Sequence, residues 1–237
     1  MSRSSFSRKV LSTFDSALAF WFSTTCFFCH ESSGPHFLCE ECRAVDFLKP
    51  PICFRCGTPL SFATKSCGIC EKRGFQFSSR SMLWLTDPHH EVWKQVKFRS
   101  KRNLIENYLN YLPEGCPFDS EAICAVPMHK DQLLTRGFNQ SELLSENLSK
   151  RWKLPLWRGL TKVKKTISQS SLTQKERQKN LKGSFQVIGS EVPRSVCLVD
   201  DIFTTGSTLH CASDELLRNG VVCVTSVTLF RTPYMLK

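Results

Sequence analysis

Four C-x2-C pairs, Cys26/Cys29, Cys39/Cys42, Cys53/Cys56 and Cys67/Cys70, occupy the first third of the chain and constrain its folding more than any other feature. Nine or ten residues separate successive pairs. A C-x2-C turn brings two thiolates to about 2.3 Å from one tetrahedral Zn2+, and two such turns complete the shell. Eight ligands therefore fit two structural zinc ions in ribbon or knuckle form. The spacing admits both sequential and interleaved pairing of the turns. The total of 13 cysteines is odd, which argues against a closed disulfide framework. Thiolates must stay reduced to hold zinc, so a reducing compartment, the cytoplasm, is expected. The later cysteines (Cys116, Cys124, Cys197, Cys211 and Cys223) are scattered and are expected in the core.

The cysteine pairs also set the first boundaries. Residues 1–25 are expected as an amphipathic lead-in helix: Ala17–Phe22 is too short for a secretory apolar region, and Asp15 interrupts its approach. Residues 26–72 form the zinc module, in which Pro35, Pro50, Pro51 and Pro59 break any long helix. Lys72–Ser79 is charged, contains Gly74 and lacks periodicity, and is read as a linker. No apolar run is long enough to span a membrane. A net charge of +11 favours polyanionic partners, either nucleic acid, phosphorylated metabolites or acidic membrane surfaces, without choosing among them.

Residues 80–237 alternate between strand and helix patterns, which implies a mostly parallel sheet covered by helices. Ser81–Leu85, Ala122–Val126, Leu154–Trp157, Val196–Val199 and Val221–Phe230 read as strands. His89–Lys97 and Asn103–Leu112 read as helices, with Leu104, Ile105, Tyr108, Leu109 and Leu112 on one face. Asn139 is placed to cap a helix reaching about Lys150, and Asn219-Gly220 ends one that carries Leu209, Ala212 and Leu216. Lys162–Lys182 is long and polar, and Lys97–Arg102 is strongly basic.

The strand Val196–Val199 delivers Asp200 and Asp201 at its carboxyl end, where open α/β sheets place their ligands. Thr204-Thr205-Gly206-Ser207-Thr208 follows and opens a helix. Small hydroxylic residues around a glycine let backbone N–H groups converge on one anion, assisted by the helix N-terminus. Two acids beside a phosphate cradle would repel phosphate alone. They suit a ligand that also carries ribose hydroxyls or Mg2+. No lysine follows the glycine where a Walker A loop needs one.

This segment resembles the 5-phosphoribosyl-1-diphosphate (PRPP) signature of type I phosphoribosyltransferases. Val126-Pro127-Met128-His129, Arg136-Gly137-Phe138-Asn139-Gln140, the string from Gln169 through Leu172, Arg177, Asn180 and Gly183 to Phe185, and the PRPP loop occur in the order typical of the ComF family. These are phosphoribosyltransferase-like proteins linked to DNA uptake in competent bacteria. The C-x2-C units and Lys97-Phe98-Arg99 are also similar to that family, whereas Lys130, Asp131 and Ser100 depart from its usual residues.

The resemblance implies a type I phosphoribosyltransferase fold behind an N-terminal double zinc-ribbon module. Asp200 and Asp201 would face ribose hydroxyls and Mg2+, and Thr204, Thr205, Gly206, Ser207 and Thr208 would bind PRPP phosphate. Pro127, Met128 and His129 would receive pyrophosphate, with Arg136 or Lys97 neutralising it. Arg177 would cover the site from a hood at Ser168–Asn180. Phosphoribosyl transfer would need those acids near the ribose, metal on the diphosphate and exclusion of water. The expected ligand is PRPP with Mg2+. Single-stranded DNA and other competence proteins are the expected macromolecular partners, and the acceptor is left unidentified. The alternative is a protein that binds PRPP and single-stranded DNA without catalysis.

Overall fold

The computed structural model describes residues 24–26, 28–34, 38–44, 48–87, 89–98, 102–164, 181 and 183–233. The lead-in segment 1–23, residues 99–101 of the basic run and the hood stretch 168–180 with Arg177 lie outside the described residues. The chain runs β1 (Thr24–Thr25), β2 (Ser32–Gly34), α1 (Glu40–Arg43), α2 (Gly68–Arg73), β3 (Ser78–Trp84) and α3 (His89–Phe98). A 3-10 turn (Arg102–Ile105), α4 (Glu106–Leu109), β4 (Ala122–Ala125), α5 (Lys130–Arg136) and α6 (Gln140–Trp152) follow. Then come β5 (Leu160–Lys162), β6 (Phe185–Val187), β7 (Ser195–Phe203), α7 (Ser207–Arg218) and β8 (Cys223–Arg231).

The central sheet has the order β3-β8-β7-β4, and each of its pairings is parallel. Its middle strands are buried on both faces: β7 is apolar from Val196 to Val199, whereas β8 buries Thr225, Ser226 and Thr228 among its apolar residues. On one face Cys197 and Val199 pack with Leu144 and Leu148 of α6 and with Val92, Trp93 and Val96 of α3. On the other, Val196 and Leu198 pack with Leu209, Ala212 and Leu216 of α7. The chain therefore leaves β4 toward one face and β7 toward the other, which opens a crevice between their carboxyl ends. Asn139 Oδ1 accepts the Ser141 N–H at 3.1 Å and fixes the start of α6 at the rim of that crevice. An antiparallel pair, β5 with β6, forms the stem of the polar segment between them.

Several expected boundaries shift for tertiary reasons. β7 runs on to Phe203 because β8 continues to pair with it, Asp200 opposite Thr228 and Phe203 opposite Arg231. The acids are thus strand residues, left open on one side because β4 ends opposite Val199. Leu154–Trp157 contributes only an isolated bridge, Leu156 with Ile123. The face predicted for Asn103–Leu112 is buried as expected, but on a 3-10 turn and a short helix. Lys72–Ser79 is no free linker: Phe75 and Phe77 are buried, and Ser78 begins β3. Cys124 and Cys197 lie in the core, whereas Cys116 and Cys211 are half-buried and Cys223 is exposed.

Candidate ligand cleft and zinc centres

The crevice is a cleft of about 200 Å³. Asp200 and Asp201 at the end of β7, Thr204 and Thr208 of the following loop, Pro127 and Met128 after β4, Arg136 and Lys97 all line it. Thr205, Gly206 and Ser207 form the turn behind. Thr205 Oγ1 lies 2.8 Å from Ser207 Oγ and accepts the Ser207 N–H at 3.4 Å. His129 turns back to cap α5, its Nδ1 accepting the Asp131 N–H at 3.3 Å, and lies off the cleft wall.

The two acids are held differently. Burial pushes Asp201 up, but the Lys97 ammonium at 2.6 Å and the Trp93 indole N–H at 2.9 Å outweigh it and hold this carboxylate below its usual range. Asp200 Oδ1 accepts the Ser141 hydroxyl at 2.8 Å and the Asp201 N–H at 2.9 Å. Burial first and the Asp201 charge second push Asp200 up to about 7. Across the cleft stands Lys162, the last residue of β5; burial pulls its ammonium down, against the charge of Asp200. Gln140 Nε2 is buried in the cleft wall without a hydrogen-bond partner. Cations, hydroxyls and one orphaned amide donor thus face the acid pair, which suits a phosphorylated ligand with hydroxyl groups.

Lys162, Gln140, Ser141 and Trp93 were not among the expected site residues. Trp93 and Lys97 do stand at i, i+4 on one helix, so their common target could have been read from spacing. Lys162 carries no such signal, because only the β5–β6 pairing brings it to the cleft.

The eight cysteines gather as Cys26/Cys29/Cys39/Cys42 and Cys53/Cys56/Cys67/Cys70, so the pairing is sequential. Sulfur separations are 3.6 Å for Cys29–Cys39, 3.9 Å for Cys53–Cys70, 3.8 Å for Cys56–Cys67 and 3.7 Å for Cys67–Cys70. Tetrahedral Zn2+ with its normal bond length requires about 3.8 Å along each edge. The sets fit two structural zinc ions, and four sulfurs at each leave no position for chemistry. The Phe28 and Cys42 N–H groups point at Cys26 and Cys39 sulfur, as thiolate turns require. Each set braces a different wall. Near the first, the Ala44 carbonyl meets His89 Nε2 at 3.1 Å at the start of α3, the helix that carries Lys97. At the second, Ser79 N–H on β3 donates to the Arg55 carbonyl at 2.6 Å. A Cβ on Gly57 (φ +72°) would lie 2.7 Å from the Ser79 oxygen, so this knuckle and β3 approach as closely as backbone allows.

A parallel sheet with an acid pair and a T-T-G-S-T loop at the carboxyl end of a middle strand, behind two four-cysteine centres, defines a protein of the type I phosphoribosyltransferase fold with a double zinc ribbon. Residues 17–71 match the family model described as "Double zinc ribbon domain". Competence protein F of Haemophilus influenzae is 33% identical over 198 residues, covering 78% of this chain and 86% of that one. DNA utilization protein YhgH of Escherichia coli is 30% identical over 210 residues, 82% of this chain and 90% of its own. Competence protein ComFC of Bacillus subtilis is 28% identical over 211 residues, 82% and 84% of the two chains. The chain belongs to this family of competence and DNA utilization proteins, the ComF family. Among solved structures, orotate phosphoribosyltransferase from Aeropyrum pernix aligns with a TM-score of 0.35 at 18% identity, over 69% of this chain and 79% of that one. A hypoxanthine phosphoribosyltransferase from Staphylococcus aureus aligns at 0.33 and 18%, over 60% and 65%. No helix among the described residues is long and apolar enough to cross a membrane.

Proposed function

We propose that the cleft binds PRPP with Mg2+ and that the protein transfers phosphoribose to an acceptor during the handling of DNA. The observation that carries this reading is the arrangement around β7. Asp200 and Asp201 project past the end of β4 between the hydroxylic loop on one side and Lys162, Arg136 and Gln140 on the other. The loop is the natural seat of the 5-phosphate, since Thr204 and Thr208 face the cleft at the start of α7. The acids suit the ribose hydroxyls. Lys162, Arg136 and the Gln140 amide suit the diphosphate beside Pro127 and Met128. Mg2+, bound with the ligand, would neutralise the departing diphosphate. The names of the relatives, which refer to competence and DNA utilization, support the DNA context.

A second reading, PRPP and single-stranded DNA binding without turnover, is favoured by one contact. Lys97 and Trp93 already occupy Asp201 Oδ2, so this carboxylate is committed before any ligand arrives.

Thermal shift with PRPP and Mg2+, against ribose 5-phosphate and pyrophosphate as part-ligands, tests binding. Stabilisation by PRPP beyond either part is expected, and none at all would end the reading. Pyrophosphate release on adding nucleobases or oligonucleotides separates transfer from binding.

A further inference from the structure

The second cysteine centre forms the floor of the phosphate loop. Arg73, at the end of α2 and three residues beyond Cys70, donates from Nη1 to the Thr205 carbonyl. Its guanidinium also lies 5.9 Å from the centre of the Phe75 ring. Arg231, fully buried at the end of β8, donates from Nη1 to the Cys56 carbonyl at 2.7 Å and from Nη2 to Thr58 Oγ1. The Thr58 hydroxyl in turn lies 3.0 Å from Cys56 Sγ. The Arg231 guanidinium sits 4.2 Å from the centre of the Phe203 ring. Phe203 and Phe75 close the space behind Gly206, where an added Cβ would fall 2.7 and 2.8 Å from their rings. Two routes therefore join the thiolate turns to the loop: Cys70 through Arg73 to Thr205, and Cys56 through Arg231 and Phe203 to Gly206. The first centre packs instead with the core on the α3 side of the sheet.

We propose that the Cys53/Cys56/Cys67/Cys70 centre positions the phosphate loop, so that zinc retention there and phosphorylated-sugar binding at Thr204–Thr208 are energetically coupled through Arg73 and Arg231. The inference rests on reading the loop as the PRPP phosphate site. Helix α2 has six residues and is too short to persist without the metal that ties Cys67 and Cys70. Without it Arg73 loses its anchor, and the Thr205 carbonyl loses the partner that sets the orientation of the loop. Coupling of two binding equilibria is reciprocal, so ligand in the loop must tighten zinc binding at this centre and not at the other, and slower zinc release is the expected kinetic sign of it.

Zinc transfer from the holo-protein to a chelating dye, with and without saturating PRPP and Mg2+, tests this. Two phases are expected, one of which PRPP slows roughly fivefold or more, within the usual range of coupling between sites. The Cys29→Ser variant, keeping the second centre, should show the protected phase. Arg73→Ala should retain both zinc ions and melt only slightly lower without ligand, from loss of the Thr205 hydrogen bond, but lose the protection, and Arg73→Lys should restore part of it. PRPP that raises the melting temperature yet protects neither phase, or both equally, overturns the coupling and leaves PRPP binding standing. PRPP that does not stabilise the protein at all removes both. A ligand-free arm measures amide hydrogen exchange: Cys67→Ser should speed it at Thr204–Thr208 and not in α6. Unchanged exchange in that loop also overturns the proposal.

Discussion

The Lys97 ammonium lies 2.6 Å from Asp201 Oδ2, and the same oxygen accepts the Trp93 indole N–H. Asp200, its neighbour in the chain, accepts the Ser141 hydroxyl and the Asp201 N–H and has no ion pair among the described residues. Adjacent carboxylates are thereby driven apart in acidity, Asp201 held down and Asp200 pushed up to about 7. Asp201 is thus the acid held charged and Asp200 the one that resists losing its proton, a division that also appears where paired acids take separate roles.

Lys97→Met should leave Asp201 ionised without its cation. The pair is partly shielded, so a loss of about 2 kcal/mol at pH 7 is expected, between the values for exposed and buried pairs. Because the folded pKa of Asp201 is depressed, the pair stabilises the fold above the ordinary carboxylate range. That contribution fades as pH falls through the lowered folded value. Urea denaturation of both proteins across the acid range checks this, and a cost that does not shrink in acid would assign it to lost packing.

Asp200→Asn should act with the opposite sign. A raised folded pKa is a penalty on the ionised form, absent below the ordinary value and complete above about 7. Asn keeps an acceptor for Ser141 and for the Asp201 N–H. A gain of about 1–2 kcal/mol at pH 8 and none at pH 4 is expected from melting curves. PRPP binding should weaken about tenfold or more on losing the carboxylate. An equal gain at both pH values would show that the titration of Asp200 is not its source.

Purified protein should contain close to two zinc ions per chain, since each cysteine set closes one tetrahedron. Cys67→Ser and Cys29→Ser should each remove one ion and leave the other. Loss of both ions from either single variant, by elemental analysis under reducing conditions, would contradict the sequential pairing.

Gly206→Ala should destabilise the protein by about 1–3 kcal/mol even without ligand. The φ of +76° disfavours a side chain, and the new Cβ would meet Phe203 and Phe75 rather than bound phosphate. Gly206→Ala with Phe75→Leu should recover part of the loss. Unchanged stability in the single variant would mean that the glycine serves ligand approach alone.

Single-stranded DNA should bind with little sequence preference and a steep salt dependence, given the charge of +11. Lys97 faces Asp201, so Lys97→Met should leave the salt slope unchanged. A flatter slope in that variant would place Lys97 on the DNA surface, and affinity insensitive to salt would remove the electrostatic account.

The local features were legible because their chemistry is carried by neighbours in the chain. Four C-x2-C turns impose their own geometry, and a strand, two acids and a hydroxylic turn follow one another within Val196–Thr208. Asn139 likewise announces a helix start through its own side chain, which caps the next turn. The sheet order and the faces to which its helices go had no such signature, because parallel neighbours pair across long crossovers.

What the sequence determined by itself was therefore the kind of protein and the local chemistry at one end of β7: cysteine turns spaced for zinc, an α/β pattern and an acid pair beside a hydroxylic loop. Tertiary structure alone decided which cysteines share a centre, how far β7 extends and which groups face the acids. Lys162 reaches the cleft from one hairpin, Lys97 and Trp93 from a helix about a hundred positions earlier. Arg231 reaches from the last strand to the second cysteine centre. Each of these contacts joins elements distant in the chain, and their energies depend on burial and on the charges that packing brings near. Local residue order specifies neither of those, so the acidities of Asp200 and Asp201 emerged only when the sheet, its helices and the ribbons closed around them.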